Sequence, residues 1–145
     1  MFINLMTMTL HIAPNRLIKD LQEDFNQAFP FLKLEFFTNK LSRTDFSAKQ
    51  IIAPTKKVGE SQVVVTEGDV LIDEEMKVID LEKLLREKFS LAVQVFRKSG
   101  NLWLETTMTD SWTLQQQNNH GREISTEKKK EIKPEDYDLS RDDNN

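Results

Sequence analysis

Cysteine is absent from the 145-residue chain, which removes disulfide frameworks, thiolate metal sites, iron–sulfur ligation and thiol nucleophiles in one step. Glycine is scarce: Gly59, Gly68, Gly100 and Gly121 lie too far apart to build a phosphate-cradling loop, and each suits a turn or a cap. Histidine occurs only as His11 and His120, neither with a second ligand at metal-binding spacing, so both read as structural and no cofactor is expected. No apolar run approaches the ~18 residues of a membrane-spanning helix, and no Asn-X-Ser/Thr sequon is present. Residues 1–12 are apolar but lack a basic segment and a cleavage pattern before Pro14 and Arg16, so no signal peptide is expected. Met6 and Met8 follow Met1 closely, which leaves residues 1–5 open to being a misplaced start. Together these absences point to a cytoplasmic protein without a membrane partner.

A clustered positive field is also missing. Residues 1–121 carry 14 basic and 16 acidic side chains, and residues 122–145 carry 6 and 8. Lysine and arginine alternate with carboxylates almost throughout, whereas binding to a phosphate backbone needs concentrated positive charge, so nucleic acid is not an expected partner. The segment 122–145 has almost no apolar content, cannot offset the entropy of ordering, and is expected to be a disordered tail behind one domain of residues 1–121.

What is present is periodicity. Residues 7–12 alternate as a strand, and Pro14 and Asn15 offer a turn. Leu17, Ile18, Leu21, Phe25 and Phe29 then recur at helical spacing until Pro30, and Leu32, Leu34 and Phe36 alternate with Lys33, Glu35 and Phe37 as a half-buried strand. The same order returns with a strand at residues 70–72, a helical stripe of Val78, Leu81, Leu85 and Phe89, and a strand beginning at Val93 and Val95. A shift of 60 residues lays Ile12 on Ile72, Asp20 on Asp80, Leu21 on Leu81 and Phe29 on Phe89. Either a duplicated unit or two ordinary amphipathic helix-then-strand segments explains the match. Both lead to an α+β fold of the ferredoxin-like type, a split βαβ sandwich in which one antiparallel sheet carries two long helices on one face, with an extra C-terminal hairpin and short helix.

Between the units, residues 38–61 form a long connection with only a short apolar pair, Ile51 and Ile52, and connections of this length are usually mobile or functional. Residues 62–66 are β-rich and suit a hairpin through Glu67 and Gly68. Ser99 and Gly100 are expected as a two-residue hairpin loop, placing Phe96 opposite Trp103, Val95 opposite Leu104 and Arg97 opposite Leu102. Asp110 or Ser111 is expected to cap a helix through Trp112 and Leu114 ending near Gly121.

Catalytic signatures do not emerge. Ser99 lacks the nucleophile elbow, and Asp73, Glu74 and Glu75 lie just ahead of the second helix, where carboxylates complement the helix dipole more commonly than they bind a metal. The hairpin register supplies the one constellation above background. Val93, Val95, Leu102 and Leu104 form an apolar face for the helices, while Gln94, Phe96, Lys98, Asn101, Trp103 and Glu105 share the opposite face. An aromatic pair on a face without a helix suits a protein partner or a homo-oligomer, with Phe96, Trp103, Gln94, Glu105, Lys98 and Trp112 as candidate binding residues. Internal cover by the helix around Trp112, or by residues 38–61, competes with that reading. The expected function is therefore a non-enzymatic interaction or self-association module. The alternative is a small enzyme or small-molecule-binding subunit with a pocket between the sheet face and residues 38–61.

Overall fold

Alternating and helical apolar spacings become five strands and three helices in the computed structural model, which describes residues 5–38, 50–60 and 66–127. Strand β1 (Thr7–Ile12) buries Leu10 and Ile12, and helix α1 (Ile18–Ala28) buries Ile18, Leu21 and Phe25. Strand β2 (Leu32–Phe37) then buries Leu32, Leu34 and Phe36. The second unit repeats the order with β3 (Gly68–Asp73), α2 (Val78–Phe89) and β4 (Ala92–Ser99), after which the chain turns back as β5 (Leu102–Glu105) and enters α3 (Leu114–Arg122). One continuous core joins Leu10, Phe25, Phe29 and Phe36 of the first unit to Ile72, Leu81, Phe89 and Val95 of the second, and Leu114 of α3 belongs to it.

The mixed α+β class stands, with a different sheet topology from the expected ferredoxin-like one. A single sheet would put β1 and β3 at the centre, flanked by β4 and β2. β1 and β3 do pair antiparallel, but β2 pairs with β4, so the strands form two sheets, β1-β3 and β2-β4-β5. Helices α1, α2 and α3 span 11, 12 and 9 residues. Periodicity places side chains on faces but is silent on which strand edges meet, and this is where the expectation departs from the structure.

A local two-fold relates the units. Leu10 and Val70, equated by the shift of 60, lie opposite each other in the β1·β3 ladder, and Glu35 and Gln94, equated by a shift of 59, do so in β2·β4. A repeated backbone clasp shows the repetition most plainly. Ile18 and Lys19 donate from their backbone nitrogens to Lys56 O and Pro54 O, both at 2.9 Å, while Val58 and Gly59 donate to Arg16 O and Pro14 O, both at 2.8 Å. In the second unit Val78 and Ile79 donate to Trp112 O (3.0 Å) and Asp110 O (2.9 Å), and Leu114 and Gln115 donate to Met76 O (2.8 Å) and Glu74 O (2.9 Å). Every member of the first set maps onto the second by adding 60 before the long connection or 56 after it. The clasp has a clear physical role. Neither α1 nor α2 has a side-chain N-cap, and the facing turn's carbonyls satisfy their first orphan N–H groups instead. Two unrelated amphipathic segments would need no such matching pair.

Local expectations change in three further places. The cap of α3 is Thr113, not Asp110 or Ser111: Thr113 Oγ1 accepts from Gln116 N at 3.1 Å, and Gln116 Oε1 accepts from Thr113 N at 2.9 Å, a reciprocal capping box. The ordered chain runs past Gly121. A π-turn at Glu123–Glu127 follows α3, and buried Ser125 accepts a 3.0 Å hydrogen bond from Gly100 N through its hydroxyl. Asp73 does not serve the first helical turn of α2. Its Oδ1 accepts from Glu75 N at 2.8 Å within the clasp turn, and Lys77 is the N-cap. Residues 39–49, residues 62–65 of the expected hairpin strand 62–66 and residues 128–145 of the expected tail lie outside the described residues. Among the described residues no helix is long and apolar enough to cross a membrane.

Candidate functional site

The β2-β4-β5 sheet has two unlike faces. Leu32, Leu34, Phe36, Val93 and Val95 point into the core, where α1 packs on β2 and α2 on β4. On the outer face Lys33 lies opposite Phe96, Glu35 opposite Gln94, Phe96 opposite Glu105 and Lys98 opposite Trp103. The hairpin register is thus shifted from the expected one. The two loop residues are Gly100 and Asn101, with Gly100 at φ 65°, as a type II′ turn requires of its first central residue. Moving the loop by one residue changes the register by two, so each side chain keeps its face. Phe96 and Trp103 share a face, as expected, but they are not directly opposite.

Trp103 and its neighbours form the most developed feature of this face. The Trp103 ring, partly exposed, has Lys33 Nζ 5.2 Å and Lys98 Nζ 5.9 Å from its centroid, within the range of a cation–π attraction. Beside it runs an open groove of about 280 Å³. The polar side of α1 supplies Lys19, Gln22, Glu23 and Asn26, β2 supplies Lys33 and Glu35, and Pro54 and Trp103 complete the wall. Several of these groups are already engaged. Gln22 Nε2 donates to Leu34 O at 2.7 Å and Asn26 Nδ2 donates to Leu32 O at 2.8 Å, so the helix closes the edge of β2 with side-chain amides. Glu35 is paired with Lys33 at 2.9 Å, and its second oxygen accepts from Gln22 at 3.4 Å.

Chemically the lining offers amines, amides, carboxylates and one indole, with neither a hydroxyl nucleophile nor an imidazole. Its carboxylate Glu35 is committed to a cation rather than poised as a base. Such a lining can offer charge, stacking and apolar contact. Among the described residues no group of three or more His, Asp or Glu side chains converges as a metal site.

Of the candidate residues, Gln94, Phe96, Lys98, Trp103 and Glu105 are brought onto one face, and Trp112 is not. Trp112 lies with Arg97, which points to the opposite side of β4: the guanidinium is 5.9 Å from the Trp112 ring centroid, and His120 meets that ring edge-on at 5.5 Å. Arg97 Nη1 donates to Gln117 Oε1 at 2.8 Å, and the fully buried Gln117 in turn donates to Thr109 O and Oγ1, both at 2.8 Å. Burial holds the Arg97 guanidinium below its ordinary value, and its buried Nε has no hydrogen-bond partner among the described residues. Trp112 and α3 therefore lock the core side of β4 and leave the Trp103 face uncovered by that helix. His11 sits on the other sheet, with Nδ1 2.6 Å from Asp69 Oδ1 of the facing strand, a structural cross-strand pair.

Leu102 and Leu104 lie on the core-side parity of β5, yet they are 65% and 40% exposed. The expectation that they face a helix fails because β5 is the outermost strand, beyond the helices packed on β2 and β4. Sequence reasoning also missed Lys19, Gln22, Asn26, Lys33, Glu35 and Pro54. The alternation of Lys33 and Glu35 with Leu32 and Leu34 already put them on one face, and only the pairing of β2 with β4 brings that face to Trp103. Compared with known proteins, the chain matches no family model, no curated protein and no solved structure.

Proposed function

We propose that the chain is a non-enzymatic protein-binding module of the cytoplasm, whose working surface is the outer face of β2, β4 and β5. The observation that carries this reading is Trp103, partly exposed between Lys33 and Lys98 on a face that α3 does not cover. An indole flanked by two ammonium groups suits a partner segment that sets a carboxylate beside an aromatic or apolar side chain, the ring giving contact area and the lysines giving charge complementarity. A second reading, a small-molecule pocket, draws on Pro54, which brings part of the 38–61 connection to the groove. Against it, the groove is open, and its volume falls just below the ~300–1,000 Å³ of typical ligand sites.

Trp103→Ala separates these readings from internal cover. For a binding face the variant stays folded, with stability within about 1 kcal/mol of wild type. Binding of a short peptide of alternating Glu and Phe, followed by Trp103 fluorescence in a Trp112→Phe background, weakens about tenfold or more in Lys33→Glu, equivalent to about 1.4 kcal/mol. A loss of about 3 to 5 kcal/mol on Trp103→Ala would instead mark the ring as core. Equal peptide affinity in wild type and Lys33→Glu would remove the charge argument.

A further inference from the structure

The outer edge of β5 is a second surface, distinct from the groove and independent of the reading above. β2 has its edge closed by Gln22, Asn26 and residues 50–52, whose Ile52 N donates to Phe36 O. β5 has a neighbour only on its β4 side among the described residues. Natural edge strands are commonly blunted by lysine, proline or a bulge. β5 is short and carries one charge, Glu105, but reads Leu-Trp-Leu-Glu without lysine, proline or a bulge. Apolar exposure is also concentrated here. Of the seven large apolar residues exposed among the described residues, Leu102, Leu104 and Met108 fall within one seven-residue stretch, at 65%, 40% and 95% exposure.

The hairpin geometry determines which backbone groups are on offer. In a two-residue loop the flanking residues exchange both hydrogen bonds, so Ser99 and Leu102 bond to each other, and Trp103 and Glu105 turn their N–H and C=O groups outward. We propose that two copies of this chain pair antiparallel through β5, about a two-fold axis at Trp103, to make one continuous six-stranded sheet. The register is self-complementary. Trp103 exchanges its outward N–H and C=O with Trp103 of the second copy, Leu102 falls opposite Leu104 on the core-side face, and Glu105 falls opposite Asn101, so no like charges meet. The two-fold also sets the two Trp103 grooves side by side on one surface. A four-residue ladder is short, which places the dimer among small interfaces of micromolar rather than nanomolar strength.

The cysteine-free chain allows a direct test of register. Leu102 and the second copy's Leu104 form a non-hydrogen-bonded pair with Cα atoms about 4.5 Å apart, inside the ~4.4–6.8 Å span of a disulfide. Leu102→Cys mixed with Leu104→Cys, under mild oxidation, forms a covalent dimer of the two variants, several-fold more than either variant alone. In sedimentation equilibrium wild type moves from monomer to dimer as concentration rises into the high micromolar range, and Leu102→Lys stays monomeric with an unchanged melting temperature. A wild type that remains monomeric throughout, or cross-linking of the mixture no greater than of the single variants, overturns the proposal. Leu102→Lys leaves the groove intact, so peptide binding by that monomer reports on the groove separately from the dimer.

Discussion

The two halves of this molecule share a scaffold and differ in how they finish it. In the first, among the described residues, the chain returns along β2 at residues 50–52, and its clasp turn leads into the 3-10 helix Val58–Glu60. In the second, a two-residue turn gives a full return strand, β5, and the same clasp turn opens into the nine-residue α3. Trp103 and the open β5 edge belong to this elaborated half, whereas the groove beside Trp103 is lined mainly by α1 and β2 of the first. The common part is structural: helix N-termini capped by a facing turn, and a two-fold core of matched apolar positions. Where the halves agree, the residues serve folding. Where they diverge lie Trp103 and the β5 edge, the surfaces proposed for binding.

Substitutions at paired positions test that division, and the largest effects belong to the shared core. Phe29 and Phe89 end the two long helices and are 1% and 6% exposed. Phe29→Ala and Phe89→Ala should each cost about 3 to 5 kcal/mol in chemical denaturation, and a variant as stable as wild type at either position would break the equivalence. A smaller effect is specific to the second half. A Cβ on Gly121 would lie 2.9 Å from Phe31 Cβ and 3.2 Å from Lys98 O, contacts that cannot both relax without moving α3. Gly121→Ala should therefore cost about 1 to 3 kcal/mol despite alanine's better helix propensity, and a gain in stability would show that α3 is free to shift.

The smallest and sharpest comparison sits within the clasp itself. Thr113 and Lys57 occupy equivalent positions, each bridging to the turn before a long helix, but only Thr113 caps a helix with its side chain. Thr113→Ala should cost about 1 kcal/mol, and Lys57→Ala should stay within about 0.5 kcal/mol. Equal effects would mean that the capping box contributes little beyond the backbone clasp.

The candidate site was legible in part. Alternation assigned Phe96, Trp103, Gln94, Lys98 and Glu105 to a common face, and that assignment survived a shifted loop because a register change of two preserves the face. Trp112 was expected at the same face, as a binding residue or as its internal cover, and the structure puts it on the core side with Arg97 and His120. The lysines flanking Trp103 come from two strands, and Lys33 could be found only once β2 was known to pair with β4.

Sequence alone determined the local elements, the apolar stripes of both helices, the inward residues of β2 and β4, and the 60-residue correspondence between halves. These follow from periods of 3.6 and 2, which depend on neighbours along the chain. Tertiary structure alone decided that the strands divide into two sheets and that turns far apart in the chain, Ile18 with Val58 and Val78 with Leu114, clasp each other's ends. It also decided that Leu102 and Leu104 are left on an open edge. Strand edges and helix ends carry backbone groups that are chemically alike at every residue. Which of them meet is settled by how the whole core packs, not by any side chain that the sequence displays.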